Sequence, residues 1–232
     1  TFKKNGIKKM LDTTKYKKNI FPLKNYKFKL LKPSTNIKLG KKVIKGIFKD
    51  YKIFTLTLIE RETCPKDCFH YNTCYGNNMP FAHRIDHKDQ NLLEKRLIQD
   101  LTNLNGKKVL IRLHVLGDFF NVRYVRFWRN MLFIFPNIAV YGYTGNNENS
   151  KYELSRNIAK ELKNLNSIFN ARFRIRFSND TKEVFSANSL DIQKPKKGKA
   201  ILCPVQENKI SDCGACGLCW NTTQKQIIFK TH

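Results

Sequence analysis

The chain has 232 residues, 41% of them hydrophobic and 12% aromatic, enough for one substantial core and too apolar for a disordered segment. Its formal net charge is +26, from 44 basic and 18 acidic residues, which favours polyanionic partners, nucleic acid first among them. No apolar run approaches the ~18 residues of a membrane span, and Thr1-Phe-Lys-Lys-Asn-Gly6 has no apolar signal core, so neither a membrane partner nor export is expected.

Residues 1–52 carry 17 Lys, no Arg and only Asp12 and Asp50 as acids, a net +15. Two readings of this basic stretch stand. It is either a nucleic-acid contact or the compositional drift of a chain rich in Lys, Asn, Ile and Phe. Within residues 1–50 the apolar side chains (Ile20, Phe21, Leu23, Tyr26, Phe28, Leu30, Leu31) are scattered between lysines, and Pro22 and Pro33 interrupt any long helix. The expectation is a basic N-terminal extension packed on a main domain of residues 51–232. Its aromatics interleaved with Lys would also suit single-stranded nucleic acid.

Regular elements follow. Tyr51–Ile59 alternates with period two and reads as a strand. Residues 89–104 place Leu92, Leu93, Leu97, Leu101 and Leu104 at helical spacing, with Asp89 as N-cap and Gly106 just past the end. Residues 109–115 form a continuous apolar strand of the kind covered on both faces. A helix over 121–135 stops at Pro136, a strand over 138–143 follows, and residues 148–165 make an amphipathic helix. Ala171-Arg-Phe-Arg-Ile-Arg-Phe177 reads as a strand with one apolar face, and Ala200-Ile-Leu202 runs into Cys203. Strands alternating with helices predict an α/β fold: a mainly parallel sheet of four to six strands, open or curved into a partial (β/α) barrel. Oligomeric state is not legible.

In such sheets ligands bind beyond the carboxyl ends of the strands. The residues there are Cys64, Cys68 and Cys74, then His114, Gly117 and Asp118, then Thr144, then Ser178 and Asn179, then Cys203. Seven cysteines without an export signal argue for metal or redox chemistry over disulfides. Cys213-x₂-Cys216-x₂-Cys219, with Cys203-Pro204 upstream, has the spacing of an iron–sulfur site, in which one tight turn gives three ligands and a distant residue the fourth. Zinc is the alternative. Cys64-x₃-Cys68-x₅-Cys74 would complete that site or hold a second cluster, with His70, His83 and His114 as further possible ligands. Gly117-Asp118 can present N–H groups and a carboxylate to a bound cofactor, or Asp118 can cap the next helix. His114 and Asp118 are the candidate catalytic pair. A metal nuclease using them with Asp180 lacks the carboxylate cluster that two-metal chemistry requires.

These blocks (Thr63-Cys64-Pro65…Cys68…Cys74-Tyr75, Arg112-Leu-His114-Val-x-Gly117-Asp118-Phe119-Phe120, Tyr143-Thr144 and Cys203-Pro204…Cys213-x₂-Cys216-x₂-Cys219-Trp220) resemble a phage-encoded family known as gene product eighty-eight. The resemblance covers about residues 60–220 and implies a phage setting in the cytoplasm of the infected host. A looser similarity is to radical S-adenosylmethionine enzymes, which have a partial barrel, a three-cysteine [4Fe–4S] loop after the first strand and a Gly-rich motif after the second. It implies that Cys64, Cys68 and Cys74 hold a cluster and that Asp118 sits near the cofactor's methionyl amine. The C-x₃-C-x₅-C spacing departs from that superfamily's C-x₃-C-x₂-C, and Leu116 stands where it has its first Gly.

Overall fold

The computed structural model describes residues 11–178, 186–190, 200–223 and 225–230. The first half holds β1 (Ile20–Phe21), β2 (Lys32–Pro33), β3 (Lys52–Thr55), β4 (Arg84–Ile85), α1 (Gln90–Asn103) and β5 (Val109–Leu113). Then come α2 (Val122–Ile134), β6 (Ile138–Thr144), α3 (Glu153–Ile168) and β7 (Phe173–Ser178). The chain ends with β8 (Ser186–Leu190), β9 (Ala200–Leu202), the single turn α4 (Cys213–Cys216) and β10 (Gln226–Lys230).

Eight strands form one sheet in the order β2-β3-β5-β6-β7-β8-β10-β9. Every pairing is parallel except that of β2 with β3. The sheet is open, with β2 and β9 as its edges, and β1 pairs with β4 apart from it. Eight strands exceed the four to six expected. The surplus comes from β2, β8 and β10, which are short, polar or inserted out of order, so that periodicity along the chain does not reveal them.

The two faces are covered differently. Strand residues one apart point to opposite faces. Val109, Ile111, Leu113, Val140, Ile175 and Phe177 meet the apolar stripes of α1, α2 and α3 in the larger core. Leu93, Leu97 and Leu101 of α1 are fully buried there, as are Tyr124, Val125, Trp128 and Leu132 of α2. Truncating such a residue as Trp128 to Ala would cost about 3–5 kcal/mol. On the opposite face Ile53, Leu110, Ala139 and Tyr141 pack against Val43 and Phe48 from before the sheet and Cys219 and Trp220 from after it. Among the described residues, no helix longer than one turn lies in that second core.

Residues 11–50 are bound into both cores. Leu23, Tyr26, Leu30 and Leu31 join the first and Val43 and Phe48 the second. The buried Asp100 of α1 accepts from the Leu30 and Leu31 N–H groups, at 2.6 and 3.0 Å, and Arg96 donates to the carbonyls of Leu23 and Phe28. Among the described residues, no helix is long and apolar enough to cross a membrane.

Candidate metal and cofactor site

The loop after β5 is built on a left-handed turn. Gly117 has φ +83°, and a Cβ there would stand 2.6 Å from Thr63 Oγ1 and 2.8 Å from Leu58 Cβ, so glycine meets both the backbone and the space requirement. The turn delivers Asp118 to the ends of three segments. Its N–H donates to Thr63 Oγ1 at 3.0 Å. Its carboxylate accepts from Thr144 Oγ1 at 2.8 Å and from the Gly145 N–H at 2.6 Å. Burial pushes the Asp118 carboxyl up to about 7, opposed by those hydrogen bonds. The side chain therefore stands near the point where it changes from acceptor to donor at neutral pH. Capping of α2 falls to Asn121, which accepts from the Tyr124 N–H at 2.8 Å, so Asp118 is free of that duty.

The first cysteine loop lies against this carboxylate. The position of a Cβ on Gly145 would be 3.1 Å from Cys68 Sγ, and Gly145 is the residue whose N–H binds Asp118. Burial raises the Cys64 thiol well above its ordinary range, and the charges of Asp118 and Cys68 add to the effect. Burial pushes Cys68 up to about 12. Two arginines shape the loop from inside. Arg61, buried and at φ +68°, donates to the Tyr71 carbonyl at 3.0 Å and to Asn77 Oδ1 at 2.8 Å. Arg84 forms a buried pair with Glu60 at 2.8 Å and donates to the carbonyls of Gly76, Met79 and Ala82. Guanidinium groups with several donors can close a loop that has little apolar surface of its own.

The second cysteine group, with the single turn α4, roofs the face of the sheet opposite α1, α2 and α3. Cys203, Pro204, Cys213, Cys216, Cys219 and Trp220 line one hollow. Asp212 caps α4 by accepting from the Ala215 N–H at 2.9 Å. The turn is stitched to the N-terminal region by Cys213 N–H to Lys38 O, at 2.8 Å, and Ile44 N–H to Gly214 O, at 3.0 Å. From below, Tyr143 OH donates to Cys219 Sγ at 2.8 Å. Arg176 donates to the carbonyls of Cys219 and Leu218, and Arg112 stacks on the Tyr143 ring at 4.2 Å. Burial raises the Cys219 thiol, while Tyr143 and Arg176 pull it back down. Cys213 is raised by burial and by Cys219 and Cys203, with Arg112 opposing. Any metal here must displace these thiol protons, so loading is linked to pH.

The two groups meet through one strand end. Thr144 bonds Asp118, while its neighbour Tyr143 faces the other way and bonds Cys219. His114 turns into the helix-side core, with Nε2 3.2 Å from Tyr124 OH and its ring edge-on to Phe119. Burial lowers its pKa to about 3, so it is a neutral ring within apolar packing. His70 Nδ1 lies 3.4 Å from Thr73 Oγ1, its backbone N–H bonds the Cys68 thiol, and His83 sits against Phe21. Ser178 ends β7 and pairs with Ala187 of β8. Asn179 and Asp180 lie outside the described residues. Among the described residues no three His, Cys, Asp or Glu side chains stand close enough to share a single metal ion.

Sequence reasoning missed Arg61, Arg84 and Arg176, and it named Arg112 and Tyr143 only as parts of a motif, without a role. One signal existed for Arg176: Arg172, Arg174 and Arg176 alternate along a strand, and a face so charged requires either solvent or a dense set of acceptors.

Neither the curated proteins nor the solved structures include a match to this chain. A family model does match, described as gene product 88, and it spans residues 23–222. That span takes in residues 23–52 of the basic N-terminal segment, both cysteine groups and the Asp118 turn between them. The chain belongs to the gene product 88 family.

Proposed function

We propose that this protein is an iron–sulfur protein with redox or radical-type chemistry, working on or near nucleic acid in the cytoplasm of a phage-infected cell. One observation carries the reading: four cysteines from two separated segments line one hollow, with a phenol donor and two guanidinium groups at its base. That donor set fits an anionic thiolate-bound cluster, because hydrogen bonds and positive charge at the sulfurs offset its negative charge. Cys203, Cys213, Cys216 and Cys219 would hold a [4Fe–4S] group, and Cys64, Cys68 and Cys74 would hold a second.

S-adenosylmethionine is the cofactor that the three-cysteine group would take, and when bound to a cluster it supplies a carbon radical. The support lies in the neighbouring residues. Gly117, Asp118, Thr144 and the Gly145 N–H gather at the ends of β5 and β6 beside Cys68. Asp118, when ionised, would accept from a cofactor amine, and Ser178 would extend the same rim. The run β3-β5-β6-β7-β8, in chain order with α1, α2 and α3 on one face, is an open parallel sheet whose strand ends could take such a cofactor. The net +15 on residues 1–52 would draw nucleic acid to the molecule.

A second reading has a specific observation behind it. The cysteine turn is stitched both to residues 38–44 and to Arg176, so zinc or a cluster there can serve as a staple in a non-enzymatic nucleic-acid-binding module. Iron and sulfide analysis after purification without oxygen separates the readings. The expected wild type is brown, with about four irons per cluster. Cys216→Ser should lose the C-terminal share and Cys68→Ser the other. Asp118→Asn should keep its iron and lose any change of the electron-spin signal on adding S-adenosylmethionine. Colourless protein carrying stoichiometric zinc would overturn the first reading.

A further inference from the structure

Away from the cysteines, a cavity of about 330 Å³ opens at the β2–β3 edge of the sheet. Its walls include Tyr26, Lys32, Ser34, Thr57, Phe81 and His83. The volume is that of a small-molecule site, and the walls are of three kinds. Aromatic faces come from Tyr26 and from Phe81, a residue 89% exposed. A fixed cation comes from Lys32, whose Nζ lies 5.2 Å from the Tyr26 ring centre and 5.6 Å from that of Phe28. Neutral hydrogen-bonding groups come from Thr57 and Ser34.

Ser34 is the informative wall residue. It is only 4% exposed, and its hydroxyl has no protein partner, which a buried polar group tolerates poorly unless something else satisfies it. His83 is held in place by Phe21, with ring centres 4.4 Å apart, and both Tyr26 OH and Lys32 Nζ approach its Nδ1, at 3.3 and 3.4 Å. The Lys32 ammonium can only donate, so an Nδ1 in contact with it leaves the ring proton on Nε2. The pocket thus offers a flat apolar face, hydrogen-bonding groups and one positive charge. That set matches a planar heteroaromatic ring with a polar edge and a phosphate attached.

We propose that this cavity is a nucleobase pocket, in which a base stacks on Phe81, meets the Ser34 hydroxyl with its edge and leaves its phosphate to Lys32. The proposal deepens the nucleic-acid part of the reading above and does not depend on the clusters. The base can come from a single strand drawn along the lysine-rich surface or from a free nucleotide, and the experiment distinguishes the two.

Fluorescence anisotropy of the full-length protein with a labelled single-stranded DNA, across a salt series, is the test. Phe81 is on the surface, so Phe81→Ala should leave the fold intact. It should weaken binding about tenfold or more with the salt slope unchanged, because stacking and not charge is removed. Phe81→Trp should bind as wild type does. Lys32→Gln should lower the slope of log K against log salt by about 0.7, one phosphate contact. Deoxynucleoside monophosphates that compete with the strand only when Phe81 is present would assign the pocket to free nucleotides. A strand that binds while monophosphates do not compete would assign it to nucleic acid. Salt-dependent binding with no effect of Phe81→Ala, and equal affinity for an abasic strand, would overturn the pocket while leaving the nucleic-acid reading standing. No binding of either probe would overturn both.

Discussion

Two titratable side chains at the end of β5 have been displaced from their ordinary pKa values in ways that oppose each other. Burial lowers His114 to about 3 and raises Asp118 to about 7. A histidine whose folded pKa is depressed adds stability above its unfolded pKa, near 6.5, and loses it as pH falls toward 3. A carboxylate whose folded pKa is raised adds stability below its unfolded pKa, near 4, and loses it as pH rises toward 7. Between about pH 4 and 6.5 the two slopes partly cancel in the wild type. His114→Phe removes one of them without touching a cysteine, since the ring packs on Phe119 and Tyr124. Urea melts of this variant should therefore show stability rising as pH falls from 7 to 4, whereas the wild type should be flatter. A variant whose pH profile stays as flat as that of the wild type would show that His114 is not the buried neutral group described.

At the scale of the elements, periodicity located what packing of a single face decides. The spans of α1, α2, β5 and β6 agree with the apolar spacing within a few residues, and Asp89 caps α1 by accepting from the Leu92 N–H at 3.0 Å. The misses have local causes. The helix expected from Glu148 begins at Glu153 because side chains capture the preceding backbone. Asn147 Oδ1 accepts from the Asn149 N–H, and Ser150 Oγ accepts from the Tyr152 N–H, bonds that compete with a helical turn. The alternation in β7 read as a strand with one apolar face, yet Phe173, Arg174, Ile175, Arg176 and Phe177 are all buried. The acceptors for Arg176 arrive from Leu218, Cys219, Asn221 and Thr223, more than 40 positions later. Strand β8, Ser-Ala-Asn-Ser-Leu, has no β-branched residue, so its pairing with β7 and β10 is a property of the sheet and not of its sequence. Of the candidate site, the cysteines and Asp118 were legible because their chemistry is rare. The arginines that shape it were not, because a surface arginine and a buried one look alike in sequence. The tightest joint between elements was equally hidden. A Cβ on Gly142 of β6 would stand 1.5 Å from the Leu113 carbonyl oxygen of β5, a backbone group that cannot give way. Gly142→Ala should cost more than about 4 kcal/mol, in the range that unfolds many domains. A soluble variant with a wild-type melting temperature would refute that contact.

Viewed whole, the molecule joins sequence-distant ends over one face of the sheet, and this changes what the basic N-terminal segment can be. A lysine-rich tail that merely attracts polyanions could be removed without harm to the rest. Here the segment supplies the edge strand β2, four residues of the helix-side core and two of the opposite core. It also holds the C-terminal cysteine turn through Lys38 and Ile44 and satisfies Asp100 of α1 through the Leu30 and Leu31 N–H groups. Fully burying an aliphatic or aromatic side chain contributes about 1.5–3 kcal/mol. The six core residues Leu23, Tyr26, Leu30, Leu31, Val43 and Phe48 therefore represent on the order of 10 kcal/mol, comparable to the whole stability of a domain. A chain beginning at Tyr51 would also leave Asp100 buried without its two donors. Such a truncation should lose its cooperative thermal transition and expose apolar surface to a hydrophobic dye. If it melts cooperatively, the N-terminal segment is an appendage after all. The consequence for function is practical: deleting the segment removes the fold along with the charge. The contribution of its lysines to nucleic-acid binding has to be read from exposed charge changes such as Lys24→Gln and Lys27→Gln. These should reduce the salt dependence of binding while the melting temperature stays within about one or two degrees of wild type.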